Sequence, residues 1–193
     1  MSRMTGRQAL MEVLRVEGVE YVFGNPGTSE SPIMEALEHC PEIQYILATQ
    51  EGVAMGMADG LATATGKPSF VNLHIETGLA NGISLLQHAM DGGTPLILSS
   101  GNKDIRGLAE GRTDLPELTK LFTKWSEEVT HPEQLPGIMR RAFTEAKTPP
   151  MGPVFVGFSA NALDDSGEMD IVASPDIFAQ TNPDHQAVDT AAN

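Results

Sequence analysis

The sequence predicts an α/β fold: a doubly wound, mainly parallel six-stranded sheet with helices on both faces. Two observations carry that reading. Short apolar runs alternate with segments of helical period along the chain, the pattern of βαβ units. The length, 193 residues, suits one domain with a full core, and 40% hydrophobic with 20% charged residues is ordinary globular composition.

The elements follow in order. Thr5 with Gln8 forms a capping-box signal, Leu10, Val13 and Leu14 make a helical stripe, and Gly18 can end that helix. VEYVFG (19–24) reads as the first strand. Ser31-Pro32 reads as N-cap and first helical position, with Ile33, Met34 and Leu37 facing inward. IQYILA (43–48), SFVNLH (69–74) and PLILSS (95–100) read as strands two to four. KWSEEVT (124–130) is a weaker fifth and GPVFVGF (152–158) a sixth. Helices fill 50–65, 79–91, 114–123 and 132–147. In such a fold, ligand chemistry belongs at the carboxyl ends of the strands.

The tail after Phe158 is polar, acidic and weakly periodic, and reads as a linker wrapping the surface. Asn182-Pro183 reads as a new helix start, with Ala187, Val188 and Ala191 at helical spacing and no C-cap signal after them. Two readings fit: a chain cut, or split, where a further domain begins, or a frayed native terminus.

The net charge of −14 argues against nucleic-acid or anionic-membrane partners. From Thr148 onward there is no Lys or Arg but seven acids: Asp164, Asp165, Glu168, Asp170, Asp176, Asp184 and Asp189. Such a run is ordinarily a solvated segment. Cys40 is the only cysteine, so no intrachain disulfide and no cysteine-based zinc site can form. No apolar run approaches the roughly 18 residues of a membrane span, and the N-terminus lacks the apolar block of a signal peptide. A cytoplasmic compartment is expected.

Three strand ends carry unusual residues. The first leads into GNPGTSESP (24–32), where Gly24 and Gly27 permit tight turns and Thr28, Ser29 or Ser31 can cap the next helix. A glycine-containing loop before a helix can also hold an anion or a ring edge. The second leads into Glu51, an acid in an apolar run. Glu51 is a favourable partner for a helix N-terminus, which explains its position but not its surroundings. Gly52, Gly56 and Gly60 recur on one face of the same helix. Since each interior glycine costs roughly 1 kcal/mol, the stripe implies close packing, either across a subunit interface or within one chain. The third strand ends at His74, a satisfied structural histidine or a group facing the ligand crevice, followed by Gly78 and Asn81.

Together, VFGNPGTSE, YILATQEGVAMGMADG, FVNLHIETGLAN and PLILSSG resemble the N-terminal pyrimidine-binding domain of thiamine-diphosphate-dependent enzymes. Within that family they resemble the group of benzoylformate decarboxylase, acetolactate synthase and pyruvate decarboxylase. The resemblance covers about residues 4–160. It implies a pyrimidine-binding domain over 1–160 and an acidic linker over 161–193 toward a central domain. It also implies a 2-oxo acid decarboxylase or carboligase that this chain would not complete alone.

By that resemblance, Glu51 matches the glutamate that hydrogen-bonds N1′ of the aminopyrimidine. A carboxyl group there favours the imino tautomer, whose 4′-nitrogen removes the C2 proton of the thiazolium, which then accepts the electrons released with CO2. A pKa raised by apolar neighbours would suit this exchange. Asn25, Pro26, Gly27, Gly78 and Asn81 match positions near the cofactor. Thr28 matches a substrate-contacting hydroxyl, and His74 a proton-shuttling histidine that meets the substrate. The family's Gly-Asp-Gly…Asn segment, which binds magnesium and diphosphate in a C-terminal domain, does not occur in this sequence. The partners implied are a 2-oxo acid, a diphosphate-binding domain or subunit, and a second copy of the chain, with the glycine stripe at the dimer interface. Two other readings stand beside this one: the small subunit of a split heteromeric enzyme, and a non-catalytic assembly module. The family's decarboxylases carry small uncharged residues after the histidine, whereas this chain has Ile75, Glu76 and Thr77.

Overall fold

The structure, a computed structural model, describes residues 1–107, 111–175 and 184–192. The chain opens with β1 (Ser2–Thr5) and α1 (Gly6–Val16). Thr5 and Gln8 form the expected capping box, and Gly18 leaves the helix at φ +73°. β2 (Tyr21–Asn25) runs into a 3-10 turn (Thr28–Glu30) and α2 (Ser31–Leu37). Ser31 is therefore the first residue of α2 rather than its cap, because the preceding 3-10 turn feeds straight into the helix. β3 (Gln44–Leu47), α3 (Glu51–Thr65), β4 (Ser69–Leu73), α4 (Ile75–Ile83), α5 (Leu86–Gly92) and β5 (Leu96–Asn102) follow. The described chain continues through α6 (Leu115–Thr119), β6 (Ser126–Val129), α7 (Leu135–Lys147), β7 (Pro153–Ser159), α8 (Ala160–Asp164), β8 (Ser166–Met169) and α9 (His185–Ala192).

Among the described residues, six strands form one sheet in the order β3-β2-β4-β5-β7-β6, and every pairing is parallel. Adjacent residues of each central strand point to opposite faces. Val22, Phe70, Ile97 and Val154 meet α1, α2 and α7 in one core. Phe23, Val71, Leu98 and Phe155 meet α3, α4, α5 and α6 in the other. Phe70, Phe143, Phe155 and Phe158 are fully buried, each worth about 1.5–3 kcal/mol of burial. The order reverses between β2 and β4, which opens a crevice at their carboxyl ends.

The expected helix over 79–91 is instead two helices. α4 starts four residues earlier, directly after His74, with Ile75 in a left-handed backbone at φ +35°. It stops at Ile83, and the Leu85 N–H turns back to the Gly82 carbonyl before α5 begins. Residues 160–169, read from sequence as linker, pack onto the body. Ala162, Leu163 and Met169 join the core, and β8 pairs antiparallel with β1. Farther along, Glu17 accepts hydrogen bonds from the backbone N–H and hydroxyl of Ser174 and is paired with Lys147. The helix start read at Asn182-Pro183 lies outside the described residues, while Ala187, Val188 and Ala191 lie on α9, whose side chains are exposed.

Among the described residues no helix covers the glycine stripe of α3, and Leu85, 3.7 Å from where a Cβ at Gly56 would stand, reaches its edge. Gly56 and Gly60 are exposed, and a methyl added at Gly60 would meet nothing within 4 Å. Nearby, Leu47 and Val53 are 64% and 54% exposed. Among the described residues, close helix packing within one chain, one of the two readings of the stripe, is therefore not seen at Gly60. Among the described residues no helix is long and apolar enough to cross a membrane.

Candidate functional site

The carboxyl ends of β2 and β4, with the first turns of α3 and α4, converge on Glu51. Gln50 caps α3 by accepting the Val53 N–H at 2.9 Å, which places Glu51 at the first helical position. Glu51 is 8% exposed. Its Oε1 accepts from the Asn25 amide at 3.0 Å and its Oε2 from the Asn81 amide at 3.2 Å. Each carboxylate oxygen has two lone pairs, so acceptor capacity remains for a further donor. Gly78 lies beside it: a Cβ there would stand 3.3 Å from Glu51 Oε1 and 3.4 Å from His74 Cβ. The bare backbone therefore lets α4 pass close against both side chains.

The apolar neighbourhood predicts a raised Glu51 pKa, and the structure reverses that expectation. Burial does push the carboxyl up. Hydrogen bonds from its own backbone N–H, Asn25 and Asn81, with His74 nearby, outweigh burial and hold it below the ordinary carboxylate value. An apolar sequence context raises a pKa only where no donors converge.

His74 follows β4 as the N-cap residue of α4, in extended backbone. Its Nδ1 lies 2.7 Å from Glu30 Oε2 and 3.1 Å from the Ser29 hydroxyl. Glu30 is fully buried and collects further donors: the Gly27 N–H at 2.9 Å, the Gly101 N–H at 2.9 Å and the Ser29 hydroxyl at 2.7 Å. An ionised carboxylate only accepts, so beside Glu30 the neutral imidazole is favoured with its hydrogen on Nδ1, which leaves Nε2 without one. Sequence reasoning passed over Glu30, because an acid in a Ser-rich turn reads as a solvated cap. Its one signal is spacing, three residues after Gly27, whose N–H its side chain accepts.

Gly27 has a different reason than the turn expected of it. Its backbone is extended (φ −119°, ψ −158°), open to any residue. What excludes a side chain is the His74 ring, which stands closer than 3.0 Å to the place a Cβ would occupy. Gly24 is likewise crowded by the Tyr45 hydroxyl and the Asn72 carbonyl rather than bent.

The structure thus gathers Asn25, Glu51, Gly78 and Asn81 into one cluster, with His74 and Gly27 adjoining it. Pro26 is half-buried in the connecting loop. Thr28 is exposed, and Glu76 is half-buried on the first turn of α4; neither side chain has a hydrogen bond among the described residues. Ile75, β-branched at φ +35°, is strained by about 1–3 kcal/mol, and that strain sits between His74 and α4. No cluster of three or more metal-ligating side chains occurs among the described residues.

Comparison with known proteins gives the family. A profile of the thiamine pyrophosphate enzymes, N-terminal TPP binding domain, matches residues 4–124. The benzoylformate decarboxylase of Pseudomonas aeruginosa is 36% identical over 157 residues, covering 79% of this chain and 29% of that protein. The acetolactate synthase large subunit of Haemophilus influenzae is 33% identical over 159 residues, covering 81% and 28%. The solved thiamine diphosphate-dependent 4-hydroxybenzoylformate decarboxylase of Rhodococcus jostii RHA1 superposes with a TM-score of 0.87 at 28% identity, over 97% of this chain and 36% of that one. The chain thus spans under a third of the length of the curated relatives it matches.

Proposed function

The chain belongs to the thiamine pyrophosphate enzymes, as their N-terminal TPP-binding domain, and from that premise we propose that it supplies the pyrimidine-binding half of the site in a 2-oxo acid decarboxylase or carboligase. The observation that carries the reading is Glu51: a nearly buried carboxylate bracketed by two amides beside a bare Gly78. The acceptor capacity left on Glu51 suits an aminopyrimidine edge. Glu51 would hold its ring nitrogen, and Asn25, Pro26, Gly27, Gly78 and Asn81 would border it. Thiamine diphosphate, when bound, supplies the electron sink that lets a 2-oxo acid lose CO2.

The protein's own part is to hold and move protons. The donors on Glu51 keep it ionised, which suits a partner that carries hydrogen on its ring nitrogen. Glu30 fixes Nδ1 of His74 and leaves Nε2 free to give or take a proton at the substrate oxygen. Gly27 and Gly78 keep backbone rather than side chains against these groups, and Thr28 offers an exposed hydroxyl to the substrate. The magnesium and diphosphate contacts belong to another domain or subunit, so the chain alone is expected to be inactive. Its exposed α3 face, with Leu47 and Val53, is where a second copy or the diphosphate-binding partner would pack.

The test is a chimera in which residues 1–169 replace the N-terminal domain of the Pseudomonas aeruginosa benzoylformate decarboxylase. It should bind thiamine diphosphate saturably and release CO2 from some member of a 2-oxo acid panel. Glu51→Gln should remove about 10²–10⁴ of that activity. Activity that survives the substitution would exclude the catalytic assignment. Absence of saturable cofactor uptake would leave a non-catalytic module instead.

A further inference from the structure

Gly101 lies near the end of β5, one strand beyond the two that lead to Asn25 and His74, and its register partner is Phe158 on β7. Nothing in its own strand calls for glycine. It takes no left-handed backbone, and its neighbours Ser100 and Asn102 are ordinary buried strand residues. Two contacts give the reason. Its N–H donates to Glu30 Oε1 at 2.9 Å. A Cβ at the same residue would stand 2.5 Å from that oxygen and 2.8 Å from both Cβ and Oγ of Ser29.

We propose that Gly101 is a positioning residue: its bare N–H seats the Glu30 carboxylate, and Glu30 thereby holds His74 in the Nδ1–H tautomer with Nε2 free. The chain of contacts is short. The Gly101 N–H takes Oε1, leaving Oε2 to the Gly27 N–H and His74 Nδ1. Ser29 bridges Oε1 and Nδ1 through its hydroxyl. A methyl at residue 101 must displace either the carboxylate, which is fully buried, or Ser29, whose hydroxyl contacts both Oε1 and Nδ1. Once the carboxylate moves, only the 3.1 Å contact with the neutral Ser29 hydroxyl remains at Nδ1, and the imidazole returns to its intrinsic preference for Nε2–H. In that form Nε2 is a donor and no longer a free base. The catalytic consequence rests on the proposed role of His74, but the tautomer does not.

Long-range ¹H–¹⁵N spectra of the His74 ring in the full chain, at a pH where imidazole is neutral, read the tautomer directly. The unsubstituted chain should show Nδ1–H favoured by at least about tenfold, the ratio a single hydrogen bond to a charged group sustains. Gly137→Ala, whose added methyl meets nothing within 4 Å, should leave that ratio unchanged. Gly101→Ala should reverse it, an effect that general destabilisation of a folded chain does not produce. Glu30→Gln supplies a second arm that does not depend on Gly101→Ala folding: the Gly101 amide proton should move upfield together with the tautomer change. An unsubstituted chain in the Nε2–H form overturns the proposal. So does a folded Gly101→Ala that keeps Nδ1–H, or a Gly101 amide indifferent to Glu30→Gln. Failure of the chimera to take up cofactor would remove the functional reading and leave these spectra untouched, so the two can fail separately.

Discussion

Gly27→Ala should destabilise the chain by about 3 kcal/mol, although its backbone is in a conformation open to any residue. The His74 ring atoms Nδ1, Cε1 and Cγ all lie closer than 3.0 Å to the new methyl, so the ring must withdraw by roughly 1 Å to regain van der Waals contact. It cannot do so freely, because Nδ1 is held by Glu30 and Ser29. Overpacking of this kind costs about 1–3 kcal/mol, and losing a hydrogen bond to a charged group costs about 1.5–3 kcal/mol. The two are alternative ways of relieving one clash, so they overlap rather than add. Urea unfolding reads the result: with a slope of about 2 kcal/mol/M, the midpoint should fall by roughly 1.5 M. The cycle with His74→Ala makes the test specific. Once the ring is gone the methyl has room, so the double variant should be no less stable than His74→Ala alone. A Gly27→Ala loss within about 0.5 kcal/mol, typical of an ordinary surface change, would refute the placement of the ring, as would a strictly additive cycle.

Further outcomes follow from the same geometry. Because the folded Glu51 carboxyl titrates below its ordinary value, its stabilising contribution is complete above the ordinary carboxylate range and is lost as pH falls through the lowered value. The stability gap between the unsubstituted chain and Glu51→Gln should therefore narrow on acidification below about pH 4.5, and urea midpoints that keep a constant gap down to pH 2 would contradict it. Ile75→Gly should cost under about 1 kcal/mol, against roughly 2–5 kcal/mol for losing a large aliphatic side chain elsewhere, because it relieves the left-handed strain; thermal melts decide this. Glu17→Ala removes the acceptor of Ser174 and the partner of Lys147. It should speed proteolytic cleavage after residue 169, and an unchanged nicking rate would mean that this contact does not hold the segment down.

How far the chain was legible depended on the range of the interaction involved. The parallel sheet, the Thr5 capping box and the start of α3 at Glu51 all follow from neighbours within one or two turns, where period and capping chemistry act. The pairing of β1 with β8 was not legible. Each strand is four residues long without apolar alternation, and their partners lie at opposite ends of the domain. The break between α4 and α5 was missed for a related reason. A methyl at Gly82 would stand 2.5 Å from Leu73, so β4 approaches α4 more closely than helical period reveals.

The candidate site divides the same way. Residue types and spacing placed Glu51 and His74 at strand ends, because chain direction in an α/β fold sends those ends to one crevice. Only the tertiary structure supplied their partners. Asn25 and Glu51 are 26 residues apart, Glu30 and His74 44, and Glu30 and Gly101 71. Hydrogen bonds over such separations set whether a buried carboxyl titrates high or low and which nitrogen of a histidine is free. A sequence determines which groups are present and which face they share. The charge and proton they carry depend on donors that only folding brings within 3 Å.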